Sequence, residues 1–373
     1  MKALLISGSK FLDVLEEAQQ RFYPKYVELR EARPRNQETL RKNVEMGIVD
    51  FRKDTAWIRE SDWQAAPIPA VLAKRPVELT GPANDTAMMI NAFNTGSSAT
   101  KLVPGSDPNI PLVKYMPDGE DSSVPQLKKE LQGILNLKLA LQGKLTFEKA
   151  TKDGKLKKYS LESEIAYPIY RVPGIHLDQS TMVDRYSRPI PNHLLLTLLY
   201  QYHIAPLMQD RGWVPSLYQP KLQSYEEACL VNDVIAFSEK AFNIPEKSTR
   251  VTCLIETLSG ALQAEEIVFG LRDYICGLNA GRWDYIFQWI QVLKSQITPD
   301  KSKINMQTKH MEAYMDHIRD VCERRGPMFM GGMSAVIPTA GQSLSVDILE
   351  KITADKQHEQ KHGAQGNLNK FFV

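Results

Sequence analysis

The stretch Thr252–Tyr285 reads TCLIETLSGALQAEEIVFGLRDYICGLNAGRWDY. Two apolar runs of strand length, Arg250–Glu256 (RVTCLIE) and Tyr274–Leu278, bracket a helical segment at Ala264–Asp273. The first run closes on Glu256. The second passes through a short loop into Gly-Arg-Trp-Asp, where Asp284 opens another helix over Asp284–Gln291. Runs that are apolar throughout, rather than at every second position, belong to strands buried on both faces. Strand, helix, strand, helix in that style is the pattern of a parallel α/β architecture.

The alternation extends outward in both directions. Strands are expected at Val77–Gly81, Leu112–Met116, Ile165–Arg171, Ser216–Leu222 and Met328–Met330. Helices are expected at Asp85–Asn94, Gln126–Asn136, His193–Met208, Glu226–Phe242 and His310–Arg325. A hairpin with a KDGK turn falls around Lys155–Tyr159, and Thr95–Pro111 reads as a long Gly/Pro/Ser-rich loop. The count suits an α/β fold of the TIM (β/α)8 barrel type over residues 76–345. Residues 1–75 read as a polar helical clasp. Its helices at Leu12–Tyr23 and Tyr26–Glu31 are interrupted by Pro24, a turn is expected at Arg33–Asn36, and Gln37–Asn43 resumes the helix. The opening MKALLISGSK reads as a first strand or turn, and residues 346–373 as a tail.

Composition removes several function classes. A net charge of +2 over 373 residues gives no polyelectrolyte field for nucleic acid. The longest apolar stretches, such as His193–Tyr202, are too short to span a bilayer, so no membrane partner is expected. Cys229, Cys253, Cys276 and Cys322 show no metal or disulfide spacing and are expected to be reduced, in a cytoplasmic setting.

In a barrel, chemistry sits where strands end. Glu256 and Asp284 close neighbouring strands, and two such carboxylates suit Mg²⁺, which takes few protein oxygens and keeps open positions. Helix capping by Asp284 and an ion pair for Glu256 are the alternative reading. Arg171 ends YPIYR and could hold a carboxylate or a developing oxyanion, or merely lie in a turn. Asp118, Glu120 and Asp121 in PDGED cluster at another strand end. His358 and His362 stand four apart in HEQKH, formally the zincin H-E-x-x-H, but in a polar stretch that reads as a solvated helix end.

These segments together resemble the A-type malate synthase family. The resemblance is carried by VELTGPANDTAMMINAFNTG, GEDSSVPQLKKELQGILNLKLALQGKLTF, LYQPKLQSYEEACLVNDV, ETLSGALQAEEIVFGLRDYICGLNAGRWDYIF and RRGPMFMGGMSAVIP followed by ITADKQHEQKHG, in family order. It implies a TIM barrel with an N-terminal helical clasp. It also implies a Claisen condensation in which an acetyl thioester is deprotonated, its enolate attacks Mg²⁺-bound glyoxylate, and thioester hydrolysis gives malate. Carried over to this sequence, Glu256 and Asp284 are the metal carboxylates and Arg171 is the enolate-stabilising arginine. Asp118, Glu120 and Asp121 form the acidic catalytic segment. The backbone of Gly281, Arg282, Trp283 and Asp284 holds the glyoxylate carboxylate. The tail HGAQGNLNKFFV stands where the family continues into a C-terminal helical plug that carries an aspartate base, so no plug domain is expected.

The resulting expectation is a Mg²⁺-dependent enzyme, with Mn²⁺ as an alternative ion. It would form or cleave a carbon–carbon bond on a small 2-oxo acid of glyoxylate or pyruvate type through an enolate. An acyl-CoA or carrier-bound thioester would be the second partner, and malate formation by the isolated chain would be poor. Two other readings stand beside it: a catalytically silent binding protein, and a subunit of a homo-oligomer or complex whose base comes from another chain.

Overall fold

The computed structural model describes residues 6, 8–102, 110–150, 154–293, 306–333 and 346–370. Most of the MKALLI opening, residues 103–109 of the expected loop, Lys152 and Asp153 of the KDGK turn, and Ser334–Pro338 of GGMSAVIP lie outside them.

Among the described residues eight parallel strands form the staves of a barrel: β1 (Val77–Pro82), β2 (Val113–Asp118), β3 (Tyr170–Arg171), β4 (Ser216–Gln219), β5 (Arg250–Ile255), β6 (Ile275–Ala280), β7 (Met328–Met330) and β8 (Asn367–Lys370). A ninth short strand, Tyr167–Pro168 just before β3, also pairs with β2. Neighbours in sequence are neighbours in the sheet, and β8 returns to pair with β1, from Val77↔Asn367 to Thr80↔Lys370. Backbone bonds Gln365 N→Phe329 O (2.9 Å) and Gly331 N→Gly366 O (2.8 Å) join β7 to the approach of β8 and close the ring. These bonds satisfy backbone groups that would otherwise stand unpaired where the two ends of the sheet meet.

Helices cover the barrel in chain order: α1 (Ser9–Glu45), α2 (Ala56–Glu60), α3 (Thr86–Leu102), α4 (Leu127–Leu141), α5 (Asn192–His203), α6 (Ala205–Asp210), α7 (Tyr225–Phe242), α8 (Leu258–Leu262), α9 (Ala264–Gly270), α10 (Arg282–Leu293), α11 (Lys309–Arg325) and α12 (Val346–Lys361). Their ends follow local chemistry. Ser224 accepts from the Glu227 backbone N–H and starts α7; Asn243, in the left-handed region, ends it. Antiparallel hairpins at Thr146–Ser160 and Asp178–Pro191 decorate the connections on either side of β3. No helix among the described residues is long and apolar enough to cross a membrane.

The barrel interior is not wholly apolar. Buried Arg75 donates to Glu78 (2.5 Å) and Thr252 (2.8 Å), and Tyr218 donates to Glu78 (2.7 Å). This network ties β1 to β4 and β5 across the lumen. The four cysteines are unpaired, and Cys253, Cys276 and Cys322 are buried.

Three sequence readings differ from the structure. The clasp helix does not break: α1 runs unbroken through Pro24 and Pro34. Each proline removes a backbone bond and costs about 3 kcal/mol in a helix interior. Phe11, Leu15, Phe22, Tyr26 and Leu29 bury one stripe of that helix, at roughly 1.5–3 kcal/mol each, which outweighs the penalty. The first part of the expected Thr95–Pro111 loop is the end of α3, where Gly96 and Ser97 pack close against Ile165–Ala166 and Glu164. The segment expected as a tail after residue 345 supplies α12 and the eighth stave, because β1 needs a parallel partner on its open side.

A residue at the seam tests the closure. A Cβ on Gly366 would stand 1.8 Å from the Arg75 backbone oxygen and 2.8 Å from Met330 Cε. Gly366→Ala therefore forces the backbone apart and should destabilise the fold by about 1–3 kcal/mol, read as a lowered urea midpoint with an unchanged slope.

Candidate active site

The expected site residues lie at the carboxyl ends of four staves. Asp118 ends β2, and Glu120 and Asp121 follow it; Arg171 ends β3; Glu256 follows β5; Gly281–Asp284 lead from β6 into the first turn of α10. Parallel register places Asp118 directly beside Arg171. Adjacent side chains at one level of parallel strands face the same way, so the two meet as a fork: Nε to Oδ1 at 2.7 Å and Nη2 to Oδ2 at 2.6 Å. The remaining nitrogen, Nη1, lies 3.0 Å from Asp121 and 3.9 Å from Glu120.

Lys221, just after β4, joins this group. Its Nζ is 3.0 Å from Glu120, 2.8 Å from Asp121, 4.0 Å from Glu256 and 3.9 Å from Asp284. Its backbone N–H donates to Glu256 Oε1 at 2.9 Å. Lys221 holds a left-handed φ of 55°, uncommon for a residue with a side chain, and Arg33 of α1 fixes it by donating to its carbonyl at 2.8 Å. Sequence reasoning missed this lysine. The available signal was a basic residue two positions beyond a strand end in YQPKL.

Five carboxylates thus face two cations. Burial by itself would raise Asp118, but the Arg171 charge and hydrogen bonds outweigh it and hold the acid at about 2. Burial pushes Glu256 well above the usual carboxylate range; Lys221 opposes this, while Asp284 and Glu120 add to it. Burial likewise raises Glu120. A divalent cation between these groups would relieve both the repulsion and the desolvation, and hard carboxylate oxygens are the donors Mg²⁺ prefers. The residues present fit such an ion.

The turn between β6 and α10 is pressed against Glu256. A Cβ on Gly281 would stand 2.4 Å from Glu256 Cβ, so only glycine allows this approach. Gly281–Asp284, leading into the first turn of α10, line the same cavity, and the start of a helix favours an anion. The Arg282 side chain takes a different course: it is buried and pairs with Asp355 of α12 at 3.1 Å. Asp118, Asp121, Arg171, Glu256, Gly281 and Asp284 all line one cavity of ≈ 110 Å³. That is well below the roughly 300–1,000 Å³ of sites for drug-sized ligands and suits a molecule of a few heavy atoms. His358 and His362, expected in solvent, instead stand half-buried where α12 meets α11.

The model describing the malate synthase TIM barrel domain matches residues 168–368. Malate synthase A of Escherichia coli strain K12 is 35% identical over 97% of this chain and 64% of its own length. The malate synthase of Myxococcus xanthus is 36% identical over 85% of this chain and 55% of its own. This chain therefore spans less than two thirds of either relative. Among solved structures, a citrate lyase from Burkholderia xenovorans LB400 superposes with a TM-score of 0.50 at 9% identity, over 82% of this chain and 74% of that one. This likeness shows the fold alone.

The Asp118–Arg171 fork makes a pH-dependent prediction. A carboxyl held below its ordinary value of 3.8 stabilises the fold at all pH values above it, and the contribution fades as pH falls toward 2. Asp118→Asn takes the charged fork from buried Arg171 and leaves it only Asp121 and the more distant Glu120, so it should cost up to about 3–5 kcal/mol at neutral pH. Urea unfolding should show that gap narrowing only below about pH 4; a gap that narrows between pH 7 and 5 would assign the dependence elsewhere.

Proposed function

The chain belongs to the malate synthase family, and on that footing we propose that it forms or cleaves a carbon–carbon bond at a small 2-oxo acid of the glyoxylate or pyruvate type. The observation that carries this reading is convergence. One buried guanidinium, two carboxylates of metal-binding type and the start of a helix all line a single cavity, of a size for a small 2-oxo acid.

In this reading Glu256 and Asp284 hold a Mg²⁺ ion, which when bound polarises the 2-oxo carbonyl. The first-turn N–H groups of Arg282, Trp283 and Asp284 receive the carboxylate of the 2-oxo acid. Arg171 acts on the other reactant. Held rigid by Asp118, it presents Nη1 to the oxygen that gains charge as an acyl group gives up its α-proton, to Asp121 or Glu120 beside that same nitrogen, and becomes an enolate. The enolate carbon then attacks the 2-oxo carbon. With an acyl thioester as donor, such as an acyl-CoA, water completes the sequence by cleaving the C–S bond. Lys221 holds Glu120 and Asp121 in place and balances part of the local negative charge. The unpaired cysteines fit a reducing compartment such as the cytoplasm.

Two measurements test the reading. Calorimetry with Mg²⁺ should detect glyoxylate or pyruvate binding that is lost in Asp284→Ala and in Glu256→Gln; unchanged binding in both would remove the metal assignment. Incubation with Mg²⁺, 2-oxo acids and acyl thioesters, surveyed by mass spectrometry, should reveal a condensation or cleavage product. On that substrate Arg171→Lys, which keeps the charge but loses the fork, should be impaired, and Arg171→Ala should lose about 10²–10³ in turnover. Intact binding with no product from any pair would favour a ligand-binding role.

A further inference from the structure

Away from the barrel mouth, α11 and α12 run side by side and present matched pairs of side chains. Glu312 and Asp316 stand one helical turn apart on α11, and His358 and His362 one turn apart on α12. Side-chain atoms of Glu312, His358 and His362 able to ligate a metal all lie within 4.8 Å of one another, on half-buried residues. His358 Nε2 is 3.6 Å from Glu312 Oε1. That is too long for a hydrogen bond, yet close to the ligand–ligand distance of about 3.3 Å that two bonds of about 2.0 Å subtend at a tetrahedral ion.

A second observation comes from the other ring. Asp316 Oδ1 lies 2.8 Å from His362 Nδ1 and also accepts from Arg319 at 2.7 Å. A carboxylate on Nδ1 selects the tautomer that leaves the Nε2 lone pair free, and it orients the ring as metal-binding histidines are commonly oriented. His358 Nε2 also contacts the Met306 carbonyl at 3.2 Å, a contact it would exchange for a metal bond.

We propose that Glu312, His358 and His362 bind a divalent transition-metal ion of the zinc type, with Asp316 as the carboxylate behind His362. Two imidazoles and one carboxylate suit zinc, whereas Mg²⁺ takes oxygens, so this site is distinct in place and chemistry from the carboxylates at the mouth. It is not a peptidase site, despite the HEQKH letters. Glu359, which would have to face the metal as a base, is buried and pairs with Lys356 at 3.1 Å, while Lys356 reaches the Gly332 carbonyl at 2.6 Å. The ion's role is to pin α12 onto α11, and thereby to seat β8, which follows α12, against β1.

The test uses the full chain, stripped with a chelator, exchanged into clean buffer and titrated at pH 7.5 with Zn²⁺ alone. About one equivalent should bind at micromolar concentration or tighter, and Zn²⁺ should raise the melting temperature. His358→Gln and His362→Gln should each weaken binding at least tenfold and abolish the thermal shift, and Asp316→Asn should weaken it by about 10–100-fold. Both imidazoles are partly exposed, so these variants should retain the wild-type circular dichroism spectrum. Asp284→Asn should leave zinc binding unchanged, and Co²⁺ in place of Zn²⁺ should show the intense visible bands of tetrahedral coordination, lost in the histidine variants. The proposal is overturned if the wild type binds no zinc at these concentrations. It is also overturned if the His358→Gln/His362→Gln double variant binds with the same stoichiometry and affinity.

Discussion

The fork between Arg171 and Asp118 is the constraint around which the mouth of this barrel is arranged. Both partners are almost wholly buried. Removing either charge from water costs several kcal/mol, so the pair is tolerable only because two short parallel bonds meet in good geometry and backbone N–H groups of Glu120 and Ser122 satisfy the remaining lone pairs. That geometry depends on register. A one-residue slip of β3 against β2 would send Arg171 to the opposite face and leave Asp118 buried and unpaired. Once the pair is set, Nη1 has a fixed direction, and Asp121, Glu120 and Lys221 take their places around it.

The site is also held from distant parts of the chain. The long clasp helix sends Arg30 to the carbonyls of Ile175 and Leu177 and Arg33 to Glu227 and Lys221. It therefore braces the loops after both β3 and β4. Tyr26 adds a bond to buried His193, whose other nitrogen meets Gln219 two residues before Lys221. Burial lowers His193 to about 4, so this link works through a neutral ring across the ordinary pH range. From the opposite side, α12 reaches the first turn of α10 through Asp355 and Arg282. A catalytic constellation needs this kind of outer support, since small displacements of the reacting groups are expensive in rate.

The excess of acid over base at the mouth has a consequence of its own. Glu256 and Glu120 are both pushed upward by burial, and each lies near other carboxylates. Such a cluster is poorly suited to a purely structural role, where apolar residues of similar volume would serve as well. It becomes reasonable when a divalent cation shares the negative charge. The α11–α12 cluster differs in kind, because its imidazoles and single carboxylate select a softer ion.

Much of this was legible in the sequence for a physical reason. Strands buried on both faces must be apolar along their length, so VTCLI and YICGL declare themselves, and the polar residue that ends each run marks the mouth. Glu256, Asp284, Arg171 and the PDGED acids could be named because chain order alone places strand ends on one face of a barrel. Tertiary structure decided what local pattern could not. Pro24 and Pro34 stay helical because a stripe of buried side chains outweighs their penalty. Lys221 enters the site because Arg33, 188 residues earlier, holds its backbone in a strained conformation. The tail becomes the eighth stave because a barrel cannot leave β1 unpaired. The histidines of HEQKH acquire partners only when α12 lies beside α11. In each case the deciding energy is a contact between residues far apart in the chain, which no window of neighbouring residues contains.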